Sequence, residues 1–137
     1  MAGLVAGKKL LGLDLEIHSI TVADVDADYV STKTQLANEA LAYIGADPLV
    51  TEADFMVDEG FYLPGYEQPS AGGTEAIQLM ARREGLLLDP VYTGKGFAGL
   101  LSDVRTGKIK PGSNVLFLHT GGATALFAEK EILGQLF

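Results

Sequence analysis

The spacing of apolar residues in the first half of the chain predicts a helix, a strand, a longer helix and a short strand. Residues 2–11 have the apolar spacing of a helix that stops at Gly12, and residues 15–22 alternate apolar and polar positions. After Asp28 a helical pattern resumes and continues until Gly45 and Pro48 end it. Residues 55–57 form a short strand candidate. The apolar face predicted for the longer helix comprises Val30, Leu36, Ala37, Ala40, Leu41 and Ile44.

The second half opens with a loop at residues 60–73, in which glycine and proline alternate with aromatic residues. This loop is longer than a simple connection needs to be. Helical patterns follow at residues 74–83 and 94–104, separated by a brief apolar run at residues 86–88 that we interpret as a short strand. The unbroken apolar run at residues 114–118 predicts a buried strand, and residues 123–128 can begin a last helix.

Strands that alternate with helices are typical of an α/β fold. We therefore expect one α/β domain over residues 1–137, with a three-layer, open, mostly parallel sheet and helices on both faces. No Ser, Thr, Asp or Asn precedes the first helix to cap its free N–H groups. We therefore expect the chain to be part of a larger domain.

Composition narrows the classes of partner. Ten Lys and Arg against 18 Asp and Glu give a net charge of −8 with no basic stripe, which disfavours nucleic acid and anionic membrane surfaces. No apolar run is long enough to span a bilayer, and the amino terminus does not have the order of a signal peptide. Zero cysteines exclude disulfides and thiolate chemistry. These features favour a cytoplasmic protein.

Three short motifs resemble known sites but do not complete them. Residues 93–96 lack the earlier glycine and the hydroxyl after the lysine that a phosphate-binding P-loop needs. The aspartates at 24, 26 and 28 have calcium-loop spacing, but Tyr29 and Gln35 occupy the required Gly and Glu positions. His18 and His119 lie in distant elements without ordered carboxylates, so no metal site is predicted.

Three loops carry the more specific signal. Residues 118–122 turn from the predicted strand into a helix, and a Thr-Gly-Gly turn there offers a hydroxyl and free backbone N–H groups. Tyr92 follows the 86–88 run and should lie at the same edge of the sheet, where ligands of open parallel sheets bind. Tyr62 and Tyr66 in the long loop could close over both. Phenol hydroxyls gathered there could transfer protons if a nearby cation lowered their pKa.

Two long segments resemble a known enzyme family. LLLDPVYTGKGFAGLL at residues 86–101 and GSNVLFLHTGGATALFA at residues 112–128 resemble the carboxy-terminal part of the D-cysteine desulfhydrase and 1-aminocyclopropane-1-carboxylate deaminase family. Residues 2–12 and 64–85 are similar to two further segments of it. The resemblance implies part of the large, cofactor-binding domain of a pyridoxal-phosphate enzyme with the tryptophan-synthase-β fold.

The resemblance also implies roles for individual residues. Tyr92 matches a tyrosine over the cofactor and substrate, and Tyr66 matches a second active-site tyrosine. Thr120 matches the threonine that bonds the pyridine nitrogen, with Gly121 beside it in the cofactor-binding turn. Thr93, also assigned to the cofactor, stands where the deaminase branch has a glutamate. This difference favours desulfhydrase chemistry, the α,β-elimination of a small D-amino acid to pyruvate, ammonia and sulfide.

The family's Schiff-base lysine and phosphate loop are not matched in this chain, so the resemblance implies no turnover by the chain alone and leaves open whether it binds pyridoxal phosphate. Lys95 matches a lysine of the motif that is not the Schiff-base residue, and nothing in the sequence predicts burial of any lysine. The expected partners are a small amino-acid substrate in the parent enzyme, and either a second copy or a missing amino-terminal half. The alternative is a non-catalytic α/β relic that acts by self-association or by binding a small anion.

Overall fold

The computed structural model describes residues 1–128, which form two compact units. Unit 1 comprises Met1–Ser19 and Val25–Asp58, and unit 2 comprises Ile20–Asp24 and the residues from Glu59 onward. Helices dominate both units. The single two-stranded sheet among the described residues pairs β1 (His18–Ile20) with β2 (Met56–Asp58). The organisation as a single domain stays a prediction.

Unit 1 packs two helices through a small apolar core. α1 (Ala2–Leu11) ends at Gly12, which adopts φ +60° and closes the helix with bonds to the carbonyls of its last turn. α2 (Tyr29–Tyr43) packs against α1, and a single 3₁₀ turn (Glu52–Asp54) precedes β2. The core residues are Ala2, Val5, Ala6, Ala37, Leu41 and Val50.

A side-chain amide fixes the loop after α2. The Asn38 side chain donates to the Val50 carbonyl at 2.9 Å and accepts from the Val50 N–H at 3.0 Å. This pair of bonds satisfies both backbone groups of Val50 as a neighbouring strand would, so Val50 can be buried without a sheet partner.

Unit 2 packs α3 (Ala71–Glu84) against α4 (Thr93–Arg105), and α5 (Ala125–Ala128) follows. Its apolar core comprises Ala76, Ile77, Leu88, Ala98 and Leu126. Glycine is required at position 99 because a β-carbon there would lie 2.7 Å from Cδ1 of Ile20. The segment that begins at Ile20 can therefore pack directly on the backbone of α4.

The four long helices confirm the sequence predictions with small shifts at their ends. α3 begins at Ala71, three residues before the predicted start, because the Ser70 hydroxyl accepts from the Gly73 N–H and caps the helix ahead of its two glycines. The predicted face of α2 is wrong in part, since Leu36 and Ile44 are exposed and only Ala37 and Leu41 are buried.

The predicted strand at residues 114–118 is wrong for the described chain. These residues adopt no regular secondary structure, and the side chain of Leu116 is 89% exposed. Residues 86–88 likewise form no strand. A strand requires a neighbour for its backbone groups, and within residues 1–128 the only strand pairing joins β1 to β2.

None of the described helices is both long and apolar enough to cross a membrane.

Candidate functional site

A buried aspartate organises the turn that leads into α4. The Asp89 carboxylate is fully buried and accepts hydrogen bonds from the backbone N–H groups of Val91, Tyr92 and Thr93 at 2.6–2.9 Å. The Thr93 hydroxyl also donates to it, at 2.5 Å. Burial acts to raise the pKa of Asp89, but these hydrogen bonds outweigh burial and hold the pKa below its usual value. We call residues 89–93 the Asp89 turn.

The loop at residues 119–122 meets this turn. A β-carbon on Gly122 would lie 2.6 Å from Oδ2 of Asp89, so only glycine permits the approach, and its φ of +90° is unfavourable for other residues. The Gly121 N–H donates to Nδ1 of His119 at 3.2 Å. Nε2 of the same ring lies 3.1 Å from the Leu87 carbonyl oxygen, to which it donates. His119 therefore links this loop to the residues that precede the Asp89 turn.

The third loop brings two tyrosines together. The hydroxyl groups of Tyr66 and Tyr92 share a hydrogen bond, and the two rings meet edge to face with centroids 6.0 Å apart. Both side chains remain nearly half exposed, at 46% and 47%. We call these two residues the tyrosine pair. It places two phenol hydroxyls on a solvent-accessible surface of unit 2.

The pKa of Tyr66 is shifted in the direction opposite to the one that the sequence suggested. The hydrogen bond with Tyr92, together with desolvation and the negative charge of Glu67, raises the pKa of Tyr66 to about 12. Tyr66 therefore stays protonated at neutral pH and acts as a neutral hydroxyl group. A nearby cation would instead lower the pKa of a phenol, and this arrangement has the opposite effect on Tyr66.

The lysine that could have been that cation is buried beneath the loop. Lys95 is fully buried, and its ammonium group donates to the carbonyl oxygens of Tyr62 and Gly65 at 2.8 and 2.6 Å. Desolvation lowers the pKa of Lys95. The sequence expectation that no lysine would be buried is wrong at this position, because the 60–66 loop covers Lys95 and supplies two carbonyl acceptors for its ammonium group.

The five residues predicted to form the site occupy different environments. Tyr66 and Tyr92 are exposed and in contact, as the predicted convergence of loops required. Thr93 is buried, and its hydroxyl is already bonded to Asp89. Thr120 and Gly121 are exposed in the loop at residues 119–122, two residues and one residue before Gly122. Their roles toward a cofactor stay predictions.

Sequence reasoning missed Asp89 and Lys95, the two residues that hold the loops in place. The signal for Asp89 was available, since aspartate followed by proline with a threonine four positions later is typical of side-chain-capped turns. Nothing local distinguishes Lys95 from an exposed lysine in the first turn of a helix. Its role depends on a loop 30 residues earlier in the chain.

Over residues 1–128, no group of three or more histidines and carboxylates is arranged to hold a metal ion. His18 lies 3.2 Å from a Glu16 carboxylate oxygen, and the two ring nitrogens of His119 bond the backbone. Both histidines thus have partners within the fold.

Comparison with known proteins gives two findings. A family profile described as pyridoxal-phosphate dependent enzyme matches residues 1–121. A solved structure, described as a crystal structure analysis of the ACC deaminase homologue, matches with a TM-score of 0.86 and 31% sequence identity. That match covers 99% of this chain and 40% of the other chain, so this chain spans well under half the length of that homologue. The resemblance found in the sequence and the α/β fold class are both confirmed.

Proposed function

Because this chain belongs to the family of pyridoxal-phosphate dependent enzymes, we propose that it forms the tyrosine-bearing part of a D-cysteine desulfhydrase-like lyase. The whole enzyme would act in the cytoplasm and eliminate sulfide from a small D-amino acid. This chain would position the substrate, and the remainder of the enzyme would supply the lysine that binds the cofactor.

The tyrosine pair is the observation that carries this proposal. Two hydroxyl groups from loops 26 residues apart are in direct contact, and a raised pKa keeps Tyr66 protonated at neutral pH. A pair of neutral phenols can donate hydrogen bonds to a substrate carboxylate or to a leaving thiol. The buried Asp89 turn and Lys95 hold the two loops without adding an exposed charge to the surface that a substrate would meet.

We expect the described residues to contact one side of a bound pyridoxal phosphate. Thr120 has an exposed hydroxyl that suits the ring nitrogen, and the tyrosine pair suits the polar substituents of a bound amino acid. When bound, the cofactor acts as an electron sink for charge that develops on the substrate. Lys95 does not fit the role of the covalent lysine, because its amine is buried and donates to two backbone carbonyls.

The first experiment measures cofactor binding by this chain alone. After incubation with pyridoxal phosphate and reduction with borohydride, intact-mass spectrometry should find only scattered, sub-stoichiometric adducts. D-cysteine should release no sulfide above a control without protein. One stoichiometric adduct would show that a lysine of this chain binds the cofactor and would contradict the proposed division of roles.

The second experiment supplies the rest of the fold. A polypeptide corresponding to the part of the homologous enzyme that this chain does not span should restore sulfide release from D-cysteine. Tyr92→Phe should then lower kcat/KM by about 10-fold, because one hydrogen bond to the substrate, worth about 1.5 kcal/mol, is lost. Tyr43→Phe, a change in an exposed tyrosine of unit 1, is the control. Opening of 1-aminocyclopropane-1-carboxylate without sulfide release would instead assign the deaminase reaction.

A second candidate function, self-association without catalysis, is favoured by one observation. Val115, Leu116 and Leu118 expose apolar side chains within five consecutive residues of unit 2. We propose that this segment pairs with a second copy of the chain when the rest of the enzyme is absent. Light scattering should find a dimer or larger assembly, and Leu116→Ser should shift it toward monomer. A monomeric wild-type chain would contradict this function.

A further inference from the structure

We propose that Lys95 is a positioning residue that holds Tyr66 in hydrogen-bonding contact with Tyr92 by fixing the turn at residues 65–68. The inference rests on the proposed function of the tyrosine pair. It assigns the buried lysine a structural task directed at that pair rather than a bond to the cofactor.

The turn at residues 65–68 has an unfavourable backbone conformation. The Gln68 N–H donates to the Gly65 carbonyl at 3.3 Å, which closes a four-residue turn with Tyr66 and Glu67 at its centre. Glu67 adopts φ +56°, a conformation that residues other than glycine rarely adopt. Surrounding contacts must therefore hold this turn, because isolated turns of such a sequence would leave that conformation.

Lys95 supplies two of those contacts. Its ammonium group donates to the Gly65 carbonyl that opens the turn, and to the Tyr62 carbonyl three residues earlier. Bonds from a charged donor are about twice as strong as those between neutral groups, and they are stronger still away from water. These bonds therefore attach the loop to the first turn of α4 at Gly65, the residue immediately before Tyr66.

The other end of the pair is attached to the same helix. Tyr92 immediately precedes α4, and its N–H donates to the Asp89 carboxylate at 2.6 Å. Lys95 lies three residues later. The N-terminal end of α4 thus fixes both tyrosines. It holds Tyr92 directly, and it holds Tyr66 through the Gly65 carbonyl that Lys95 binds. Loss of the ammonium group would remove the Lys95 donor from both carbonyls and leave the Gly65 carbonyl only its bond from the Gln68 N–H, and the loop would move to hydrate them.

The absence of cysteine from the sequence permits a closely matched test. In Lys95→Cys the new thiol is unique, and it can be alkylated in the unfolded protein and the protein refolded. Aminoethylation restores an amine on a side chain of lysine length, whereas propylation adds a methyl group in its place. The two products differ only in the donor.

The readout is the ¹³Cζ NMR signal of each tyrosine, assigned with Tyr66→Phe and Tyr92→Phe. We expect the aminoethylated protein to reproduce the wild-type signals of Tyr66 and Tyr92. In the propylated protein, the Tyr92 signal should move to its position in Tyr66→Phe. Ile77→Val, a change in the core of unit 2, controls for a general loss of stability and should leave both signals in place.

Two results would overturn the inference. Wild-type tyrosine signals in the propylated protein would show that the contact does not depend on the lysine donor. Failure of the propylated protein to refold, where the aminoethylated one does, would show that Lys95 supports unit 2 as a whole rather than the loop. Neither readout requires catalysis, so failure of the proposed desulfhydrase function is detected separately by the sulfide assay.

Discussion

The two compact units bury different kinds of residue. The core of unit 1 consists of alanine, valine and leucine side chains from α1, α2 and Val50. Unit 2 has an apolar core of similar size, but the five buried polar or charged residues of the described chain all lie in it. They are Thr21, Asp89, Thr93, Lys95 and Asp103.

This difference separates residues that stabilise a unit by packing in its core from residues that fix the positions of loops. A buried polar group costs free energy unless it is hydrogen-bonded, so a unit that needs only stability does not require it. Asp89 is bonded to three backbone N–H groups of its own turn, and Lys95 is bonded to two carbonyl groups of the 60–66 loop. In unit 2 the buried polar side chains specify where three loops lie, and the tyrosine pair is located where they meet.

The largest expected effect tests this interpretation of Asp89. Asp89→Ala leaves three backbone N–H groups and the Thr93 hydroxyl without their acceptor, which should lower the free energy of unfolding by about 4 kcal/mol. Urea denaturation measures the change. Asp14→Ala, at an exposed carboxylate of unit 1, should change stability by less than about 0.5 kcal/mol. Equal effects of the two substitutions would remove the contrast between the units.

The approach of the 119–122 loop to Asp89 is tested by paired glycine substitutions. Gly122→Ala adds backbone strain and a clash with the Asp89 carboxylate, and should cost about 3 kcal/mol. Gly112 has nearly the same φ, +86°, but open space around it, so Gly112→Ala should cost only about 1 kcal/mol for strain. Thermal unfolding of both variants gives the difference. Equal losses would mean that the loop does not contact Asp89.

The charge on Asp89 predicts a pH dependence that the apolar core of unit 1 should not show. Its folded-state pKa lies below the usual 3.8, so its contribution is complete above pH 3.8 and is lost as the pH falls through the folded-state value. The stability difference between wild type and Asp89→Asn should therefore shrink in acid. The difference for Leu41→Ala, a core residue of unit 1, should stay constant. A pH-independent Asp89→Asn difference would contradict the charged, hydrogen-bonded state.

The smallest effect concerns the ion pair of unit 1. Nζ of Lys9 lies 2.8 Å from Oδ1 of Asp54, and hydrogen bonding to Lys9 lowers the pKa of Asp54. Both side chains contact solvent, so Lys9→Met should cost less than about 1 kcal/mol, with the loss reduced at high salt. Lys110→Met at an exposed position of unit 2 is the control. A loss of unfolding free energy above about 2 kcal/mol would show that unit 1 also contains a strong polar contact, and would weaken the contrast between the two units.

Much of the candidate site was accessible to sequence reasoning, but not its internal contacts. Tyr66, Tyr92 and the turn at residues 119–122 were singled out. Tyr92 and the turn each follow a predicted strand, and the loop that carries Tyr66 was expected to close over both. Those two strands do not form in the described chain, yet the loops meet. The contact depends on Asp89, whose partners lie within four residues of it, and on Lys95, whose partners lie 33 and 30 residues earlier in the chain.

Helices were predictable from sequence because their hydrogen bonds join residues four positions apart, and glycines such as Gly12 and Gly85 mark their ends within the same stretch. The family could likewise be recognised from linear motifs. Burial and strand pairing were decided by tertiary structure, since both depend on distant segments. Residues 114–118 have the composition of a buried strand but no strand partner in the described chain, and Lys95 has the pattern of an exposed lysine but lies beneath a loop. In each case the deciding partner is remote in sequence, so local spacing carries no signal of it.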